Sequence, residues 1–328
     1  MTNTNPLLDF ARKVELSVRL PSNGNWYPEG MIDYTMSGEV EVYPMLPKDE
    51  LSLMNPDGLL SGQSNINLIK SCVPAVKQPE KLLYPDLNVL LLSIQRATYG
   101  NKLTMQVVCP ECIKKANEKA EEIEKNNENL EEKIDAKAVV AEMEKNNEIM
   151  IHQQEIDFDI DYLLGTITYL EPEYTYTMEN GLKIYLQPNT LEDKSKFGLM
   201  IFNQEKIVKA YKNYSYDKMM EEEESSKKFA NDVAGTYINI NEISNKLLTA
   251  AILKIELPDG SFVDNKDYIF EFISNTPSNI VNDLNKKIRD INDIGLPKEL
   301  DYECSCCGHK WKDKFFGFNQ TDFFGIGS

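Results

Sequence analysis

Four cysteines in two CxxC pairs are the residues of this sequence whose types and spacing suit chemistry, namely metal binding. Cys109 and Cys112 form the first pair. Cys304 and Cys307 form the second, which Gly308 follows directly. Each CxxC turn can present two thiolates on one face, and two such turns supply the four ligands of a closed, tetrahedral zinc site. The spacing therefore predicts a structural zinc ion held by these four cysteines.

The two pairs are far apart along the chain, with residues 113–303 between them. The entropy cost of closing a loop grows only logarithmically with its length, so a metal ion can hold even this loop closed. A four-thiolate site leaves no open position for a substrate. The predicted zinc is therefore structural, and it ties the middle of the chain to its C-terminal end.

The remaining cysteines and one histidine leave alternatives open. Cys306 lies inside the second pair and His309 follows it, so either can replace one thiolate. Cys72 stands alone and is interpreted as a small buried apolar side chain. A disulfide framework is disfavoured, because 6 cysteines in 328 residues are few and residues 1–10 lack a secretory signal. A redox CxxC normally opens a helix after a strand in a thioredoxin-like unit. The first pair follows a strand-like segment, 103–108, in the manner of zinc-ribbon knuckles, and we therefore prefer the zinc interpretation.

Common catalytic motifs are missing from the sequence. It contains no phosphate-binding loop, no HExxH and no GxSxG. Its two histidines, His152 and His309, lie in surroundings that do not suggest a catalytic triad. Among 53 acidic residues, carboxylate pairs at helical spacing arise by chance. We therefore expect a protein that is not an enzyme. An enzyme whose active site consists of carboxylates alone is kept as an alternative hypothesis.

The charge balance restricts the classes of partner. The chain has 35 basic and 53 acidic residues, a formal net charge of −18. Broad binding to nucleic acid or to an anionic membrane requires clustered positive charge. No segment approaches the roughly 20 apolar residues of a membrane span. We expect an intracellular protein of a reducing compartment, with neither nucleic acid nor membrane as a partner.

Strand-like and helix-like segments follow one another along the chain, and they predict an α+β fold of mixed short antiparallel sheets and helices. Alternating polarity predicts strands at 12–20, 39–45, 102–108 and 155–160, and turn residues predict hairpins at 174–186 and 253–263. Helical spacing and capping residues predict helices at 65–73, 85–99, 190–208, 241–252, 265–275 and 278–291. The two distant CxxC knuckles and a helical insertion complete a zinc-ribbon-like element.

Composition divides the sequence into four segments. Residues 1–112 form an N-terminal α+β domain that ends in the first zinc knuckle, and 113–150 form a charged helical or coiled-coil insertion. Residues 151–299 form a middle α+β domain, and 300–328 contain the second knuckle and an aromatic C-terminal tail. The insertion is a helix or a helical hairpin, and small alanines on its apolar stripe favour a solvated insertion over a coiled-coil arm for a partner.

The C-terminal segment carries two further patterns. Lys310, Lys312 and Lys314 share one face of a strand, and Trp311 lies on the other. With the cysteine knuckles, this lysine face supports the alternative of a zinc-ribbon nucleic-acid-binding or transcription accessory protein. Five phenylalanines follow, which either pack on the knuckles or dock a partner: Phe315, Phe316, Phe318, Phe323 and Phe324.

An ordered set of motifs in the N-terminal third carries a resemblance to a known family. The set is L-P-S-x-G-x-x-Y at 20–27, P-x-D-E at 47–50, R-x-x-Y-G at 96–100 and C-P-E-C at 109–112. Over residues 12–112 the chain resembles the baseplate hub protein family of T4-like bacteriophages, which gene product 26 of that phage typifies. The second knuckle is an additional match to zinc-containing relatives.

This resemblance implies a structural or assembly protein of the central hub in a contractile-tail baseplate. The implied partners are other baseplate hub proteins and the tape measure protein, within a symmetric tail assembly that can contain several copies. The resemblance implies no catalysis and no cofactor beyond structural zinc. The implied location is the host cytoplasm during assembly and the tail baseplate of the virion for a retained component.

Overall fold

Short strands and helices follow one another along the chain. The computed structural model of the protein describes residues 12–55, 58, 61–127, 135–146, 154–213 and 223–314. Helices and several short antiparallel sheets are both present, which confirms the predicted α+β class. The turn of the charged insertion, His152 and the phenylalanine-rich tail lie outside the described residues.

Within the described residues the chain separates into two units. The first comprises residues 12–98 and 166–296, and the second comprises 99–165 and 297–314. These limits differ from the boundaries of the four sequence segments. The division into four segments stays a prediction.

The first unit begins with a two-stranded antiparallel ribbon. β1 (Leu16–Val18) pairs with β2 (Val40–Val42). The side chains of Val40 and Val42 are fully buried, as their alternation with polar residues predicts. Both strands are shorter than the alternating segments, and β2 ends before Pro44, which lacks the N–H that a ladder requires.

Helices and a 3-10 turn follow this ribbon in the described residues. They are α1 (Pro47–Leu53), α2 (Gln63–Cys72), the 3-10 turn (Pro79–Lys81) and α3 (Tyr84–Tyr99). α3 ends at Gly100, whose φ of +92° suits a residue without a Cβ. Its apolar residues Leu87, Leu90 and Ile94 are buried, and so are Val89 and Leu92 on other sides of the helix. A helix that is apolar on most sides belongs in a core.

One buried carboxylate at the start of α3 holds the loop that contains the first family motif. The backbone N–H of Ser22 donates to Asp86 at 2.9 Å, and the Tyr27 hydroxyl donates to it at 2.7 Å. A Cβ at Gly24 would lie 3.2 Å from the Tyr34 ring, and the φ of Gly24 is +77°. Burial raises the pKa of Asp86 to about 6, although the two donors oppose the shift. The motif therefore has a structural role.

A four-stranded antiparallel sheet forms the centre of the rest of the first unit. The strand order is β5 (Tyr174–Thr177), β6 (Lys183–Leu186), β7 (Ile252–Glu256) and β8 (Phe262–Val263). Tight turns join β5 to β6 and β7 to β8, and they contain Gly181 and Gly260 with φ of +85° and +84°. Both predicted hairpins are therefore present.

The helices that the described residues add to this sheet are α7 (Leu191–Asn213), α8 (Glu223–Ala250), α9 (Lys266–Ser274) and α10 (Ser278–Asn292). Thr190 caps α7. Its hydroxyl accepts from the Asp193 N–H at 3.1 Å, and the Asp193 carboxylate accepts from the Thr190 N–H at 3.2 Å. Sheet residues Ile184 and Leu186 join Leu284 of α10 in one aliphatic core.

The second unit contains two antiparallel ribbons. β3 (Lys102–Val107) pairs with β4 (Gln154–Asp159), and β9 (Glu299–Glu303) pairs with β10 (Lys310–Lys314). The helices of this unit are α4 (Pro110–Asn127), α5 (Ala136–Lys145) and α6 (Ile160–Gly165). In the described residues no helix is long and apolar enough to cross a membrane.

The charged insertion contains the two helices α4 and α5. Ala116 and Ile123 of α4 are buried, and Val140 and Met143 of α5 pack on the cluster that contains Ala116. The exposed side of α4 pairs its own charges, as in the contact of Lys119 with Glu122 at 2.8 Å. The two helices therefore direct apolar side chains toward the cysteine cluster, and the role of the insertion stays a prediction.

Candidate metal centre

The first cysteine pair lies where β3 ends and α4 begins. Cys109 follows two residues after Val107, the last residue of β3, and Cys112 lies in the first turn of α4. The Ile113 N–H donates to the Cys109 carbonyl at 3.1 Å. A strand followed by a helix is also the setting of redox CxxC motifs. Local structure therefore does not separate the two interpretations, and the surroundings of the sulfur atoms must do so.

The second pair lies in the tight turn between β9 and β10. The Cys304 N–H donates to the His309 carbonyl at 2.9 Å, and the Gly308 N–H donates to the Cys304 carbonyl at 2.9 Å. Gly308 has a φ of +67°, which a glycine adopts without strain. The glycine that follows the pair therefore allows the turn to close behind the two sulfur atoms.

Each sulfur atom of the first pair contacts one of the second. Cys109 Sγ lies 3.7 Å from Cys307 Sγ, and Cys112 Sγ lies 3.8 Å from Cys304 Sγ. The four atoms all lie within 4.8 Å of one another. All four thiols are free, and these separations far exceed the roughly 2.05 Å of a disulfide bond.

These separations fit a tetrahedral metal ion of the size of zinc. Zinc–sulfur bonds are about 2.3 Å long, so the corners of a regular tetrahedron of sulfur atoms lie about 3.8 Å apart. The two short contacts between the pairs agree with this value. Four soft thiolate donors also suit zinc better than a hard cation such as magnesium. An ion at this position would connect the two pairs directly.

The environment of the cluster shifts the pKa of different thiols in opposite directions. Burial raises the pKa of the Cys109 thiol. Burial acts in the same direction on Cys304, but backbone N–H groups of Cys307 and Cys306 outweigh it and leave the pKa at about 7. The Cys307 N–H lies 3.5 Å from Cys304 Sγ. Since the thiolate is the metal ligand, Cys304 is ready to bind near neutral pH.

The other candidate ligands have different surroundings. In the part of the chain that the structure describes, the group arranged to hold an ion consists of the four paired cysteines, without Cys306 or His309. His309 stacks on Trp311 with ring centroids 6.0 Å apart. Cys72 is fully buried, and burial raises its pKa to about 12. Cys72 is therefore an inert core residue, as interpreted from the sequence.

Aromatic side chains cover the inner face of the β9–β10 ribbon. Tyr302 and Trp311 lie opposite each other and stack with ring centroids 5.5 Å apart. Phe158 of β4 meets Tyr302 edge-on at 5.4 Å. Trp311 also packs against the buried cysteine cluster. These rings shield the sulfur atoms from water and connect the two ribbons of the unit.

The outer face of the same ribbon carries balanced charges. Lys310 Nζ lies 3.1 Å from a Glu303 carboxylate oxygen, and Lys312 Nζ lies 3.4 Å from one of Asp301. Lys314 is directly opposite Glu299 in the strand register. The three lysines that suggested nucleic-acid binding therefore stand opposite acidic residues in the strand register, and Lys310 and Lys312 form ion pairs with theirs.

Gln154 is a residue of this site that the sequence analysis missed. Its Oε1 accepts from both the N–H and the hydroxyl of Ser305, each at 3.1 Å. The side chain is buried, and its Nε2 has no hydrogen-bond partner in the described structure. Strand alternation places Gln154 on the same face of β4 as Ile156 and Phe158, and this was the one sequence signal that could have indicated its inward orientation. A polar residue at the start of a strand otherwise carries no signal.

Fold and site together define an α+β protein whose second unit is built around four converging cysteines. A family described as T4 bacteriophage base plate protein matches residues 12–325, nearly the whole chain. The chain belongs to this family, which confirms the resemblance and extends it far beyond the N-terminal motifs. No curated protein and no solved structure matches the chain.

Proposed function

We propose that this protein is a structural or assembly component of the central hub in a contractile-tail baseplate. It acts through protein–protein contacts, without catalysis. The single observation that carries the proposal is the family match over residues 12–325, which spans both units. The proposed partners are other hub proteins and the tape measure protein, in the host cell during assembly and in the tail baseplate of the virion.

The proposed cofactor is one structural zinc ion with Cys109, Cys112, Cys304 and Cys307 as ligands. The sulfur separations and the free thiols support this assignment. Bound there, zinc would supply cohesion and no reactive position, because protein thiolates fill all four sites. The matching test is metal analysis of protein purified without chelators, for which we expect one zinc per chain.

The nucleic-acid alternative receives no support from the lysine face. Nucleic-acid affinity depends on basic groups that displace counterions from phosphates. Here Lys310 and Lys312 already pair with Glu303 and Asp301, and the whole chain carries a formal net charge of −18. We expect no binding to DNA or RNA, even at low salt.

Quantitative mass spectrometry of purified virions beside infected-cell lysate tests the proposal. A retained hub component is expected in virions at a few copies per tail. An assembly factor is expected in lysate, associated with tail proteins, and absent from virions. Presence in lysate without any associated tail protein would contradict both forms of the proposal.

A further inference from the structure

Gln154 belongs to the ribbon that leads into the first cysteine pair. It lies directly opposite Val107 in the β3–β4 register. The chain continues from Val107 through one residue to Cys109. The backbone ladder between β3 and β4 therefore fixes the position of Gln154 relative to the first pair.

The side chain of Gln154 reaches the turn that holds the second pair. Ser305, its partner, is the residue immediately after Cys304. Both contacts use a single acceptor, Oε1, which takes the Ser305 N–H and the Ser305 hydroxyl at 3.1 Å. An acceptor shared by a backbone and a side-chain donor restrains the turn in both position and orientation.

The second half of the amide shows that packing alone does not explain this residue. Gln154 is only 7% exposed, and its Nε2 is buried without a partner in the described residues. An unpartnered buried donor is destabilising, so an apolar side chain would suit the position better if nothing else were required. Thiolates accept hydrogen bonds, and a donor beside the second pair suits a site whose thiols become ionised on metal binding.

We infer that Gln154 is a positioning residue of the metal centre: it connects the two cysteine pairs through Ser305 and prepares the four sulfur atoms for the ion. This inference rests on the proposed zinc site. Without Gln154, the turn at 304–308 must be ordered during metal binding, and the entropy cost of that ordering lowers affinity. Partners that orient ligands in this way typically change metal affinity by about 10- to 100-fold.

The test is zinc affinity of the full-length chain, measured by competition with a chromophoric chelator. Gln154→Met, which keeps length but removes acceptor and donor, is expected to weaken binding about 10- to 100-fold. Ser305→Ala, which keeps the backbone N–H, is expected to weaken it about fivefold, the value of one ordinary hydrogen bond. Ser305→Thr keeps the hydroxyl and is expected to bind like the wild type.

Gln106→Met is the matched control. Gln106 lies on the exposed face of the same ribbon, opposite Glu155, so this variant makes the same chemical change away from the cysteines. Its zinc affinity is expected to stay within twofold of the wild type. Circular dichroism of each variant, compared with wild-type protein in the same metal state, shows whether the variant keeps the wild-type fold before affinities are compared.

Cobalt(II) supplies a readout that general destabilisation would not move. Wild-type protein with cobalt is expected to show the intense visible bands of tetrahedral thiolate coordination. Folded Gln154→Met protein is expected to show weakened or displaced bands, since its second pair is held less firmly. Unchanged bands and zinc affinity within twofold of the wild type would overturn the inference.

The outcomes separate this inference from the zinc proposal. If wild-type protein binds neither zinc nor cobalt, the metal centre itself is wrong. If wild-type protein binds both and Gln154→Met behaves identically, only the role of Gln154 is wrong. If Gln154→Met does not fold, the comparison of Ser305→Ala with Ser305→Thr decides, and equal affinities would refute the connection.

Discussion

The two units of this protein are stabilised by different means. The first buries a large aliphatic core, formed by sheet residues such as Ile184 and Leu186 and by helix residues such as Leu284. The buried cluster at the candidate metal centre of the second consists of three cysteines and Ala116. Apolar burial contributes roughly 25 cal/mol per Å², so a large core can hold the first unit. A small cysteine-lined cluster buries less apolar surface, and the bonds of the proposed zinc ion would make up the difference.

Each unit contains one of the two tryptophans of the chain, which allows the comparison to be tested. Trp26 lies in the first unit, where it stacks on Tyr174, and Trp311 lies in the second, against the cysteine cluster. Replacing either one with phenylalanine leaves a fluorescence reporter for the other unit. Predictions can therefore be stated separately for each unit.

The largest expected effect is the destabilisation of the second unit on metal removal. Chelation, Cys109→Ser or Cys307→Ser is expected to destabilise its fold markedly, because binding of structural zinc contributes on the order of 10 kcal/mol. Hydrogen exchange is expected to accelerate in β3, β4, β9 and β10 and to stay slow in β6 and β7.

Cys306→Ser is the control for that experiment, since Cys306 lies in the same turn outside the four-sulfur group. It is expected to leave zinc content and exchange rates nearly unchanged. If chelation left exchange protection unchanged in both units, or lowered it equally in both, the proposed difference in how the two units are stabilised would be contradicted.

The converse experiment removes apolar contact from the first unit. Ile184→Ala deletes a fully buried side chain of the central sheet and is expected to destabilise this unit by about 2–5 kcal/mol. Urea unfolding followed through Trp26 measures the loss. The zinc affinity of the second unit should not change, and a parallel fall in zinc affinity would show that the two kinds of stabilisation are not separate.

A pH series sharpens the description of the first unit. The folded pKa of Asp86, about 6, exceeds its unfolded value of about 3.9. The folded state therefore binds the proton more tightly, and stability falls as pH rises from about 4 to about 6, by about 3 kcal/mol. Asp86→Asn is expected to remove this decline while its amide oxygen still accepts from Ser22. Urea midpoints at both ends of that range check it, and an unchanged pH slope would contradict it.

The smallest effect is expected on the outer face of the second unit. Lys312→Ala removes an exposed ion pair with Asp301, and such pairs contribute about 0–1 kcal/mol. Unfolding followed through Trp311 should shift only slightly, and less at high salt. A large shift would mean that surface charges, rather than the cysteine cluster, hold this unit together.

Local chemistry made much of the fold predictable. The stop of α3 at Gly100, the capping pair Thr190 and Asp193, and the turns at Gly181 and Gly260 each depend on a few neighbouring residues. Helix α8 is longer than its prediction, beginning at Glu223 rather than near 241. Its early residues lack a clear apolar period, so the sequence pattern did not indicate a helix from Glu223 onward.

The sequence by itself determined the class of fold and the four candidate ligands, because CxxC spacing and strand periodicity are local properties of the chain. Only the tertiary structure decided that Cys109 meets Cys307, that Cys112 meets Cys304, and that Gln154 reaches Ser305. It also decided that the lysines of β10 face acids of β9. These outcomes depend on strand register and on the packing of residues far apart in sequence, and no local pattern specifies either.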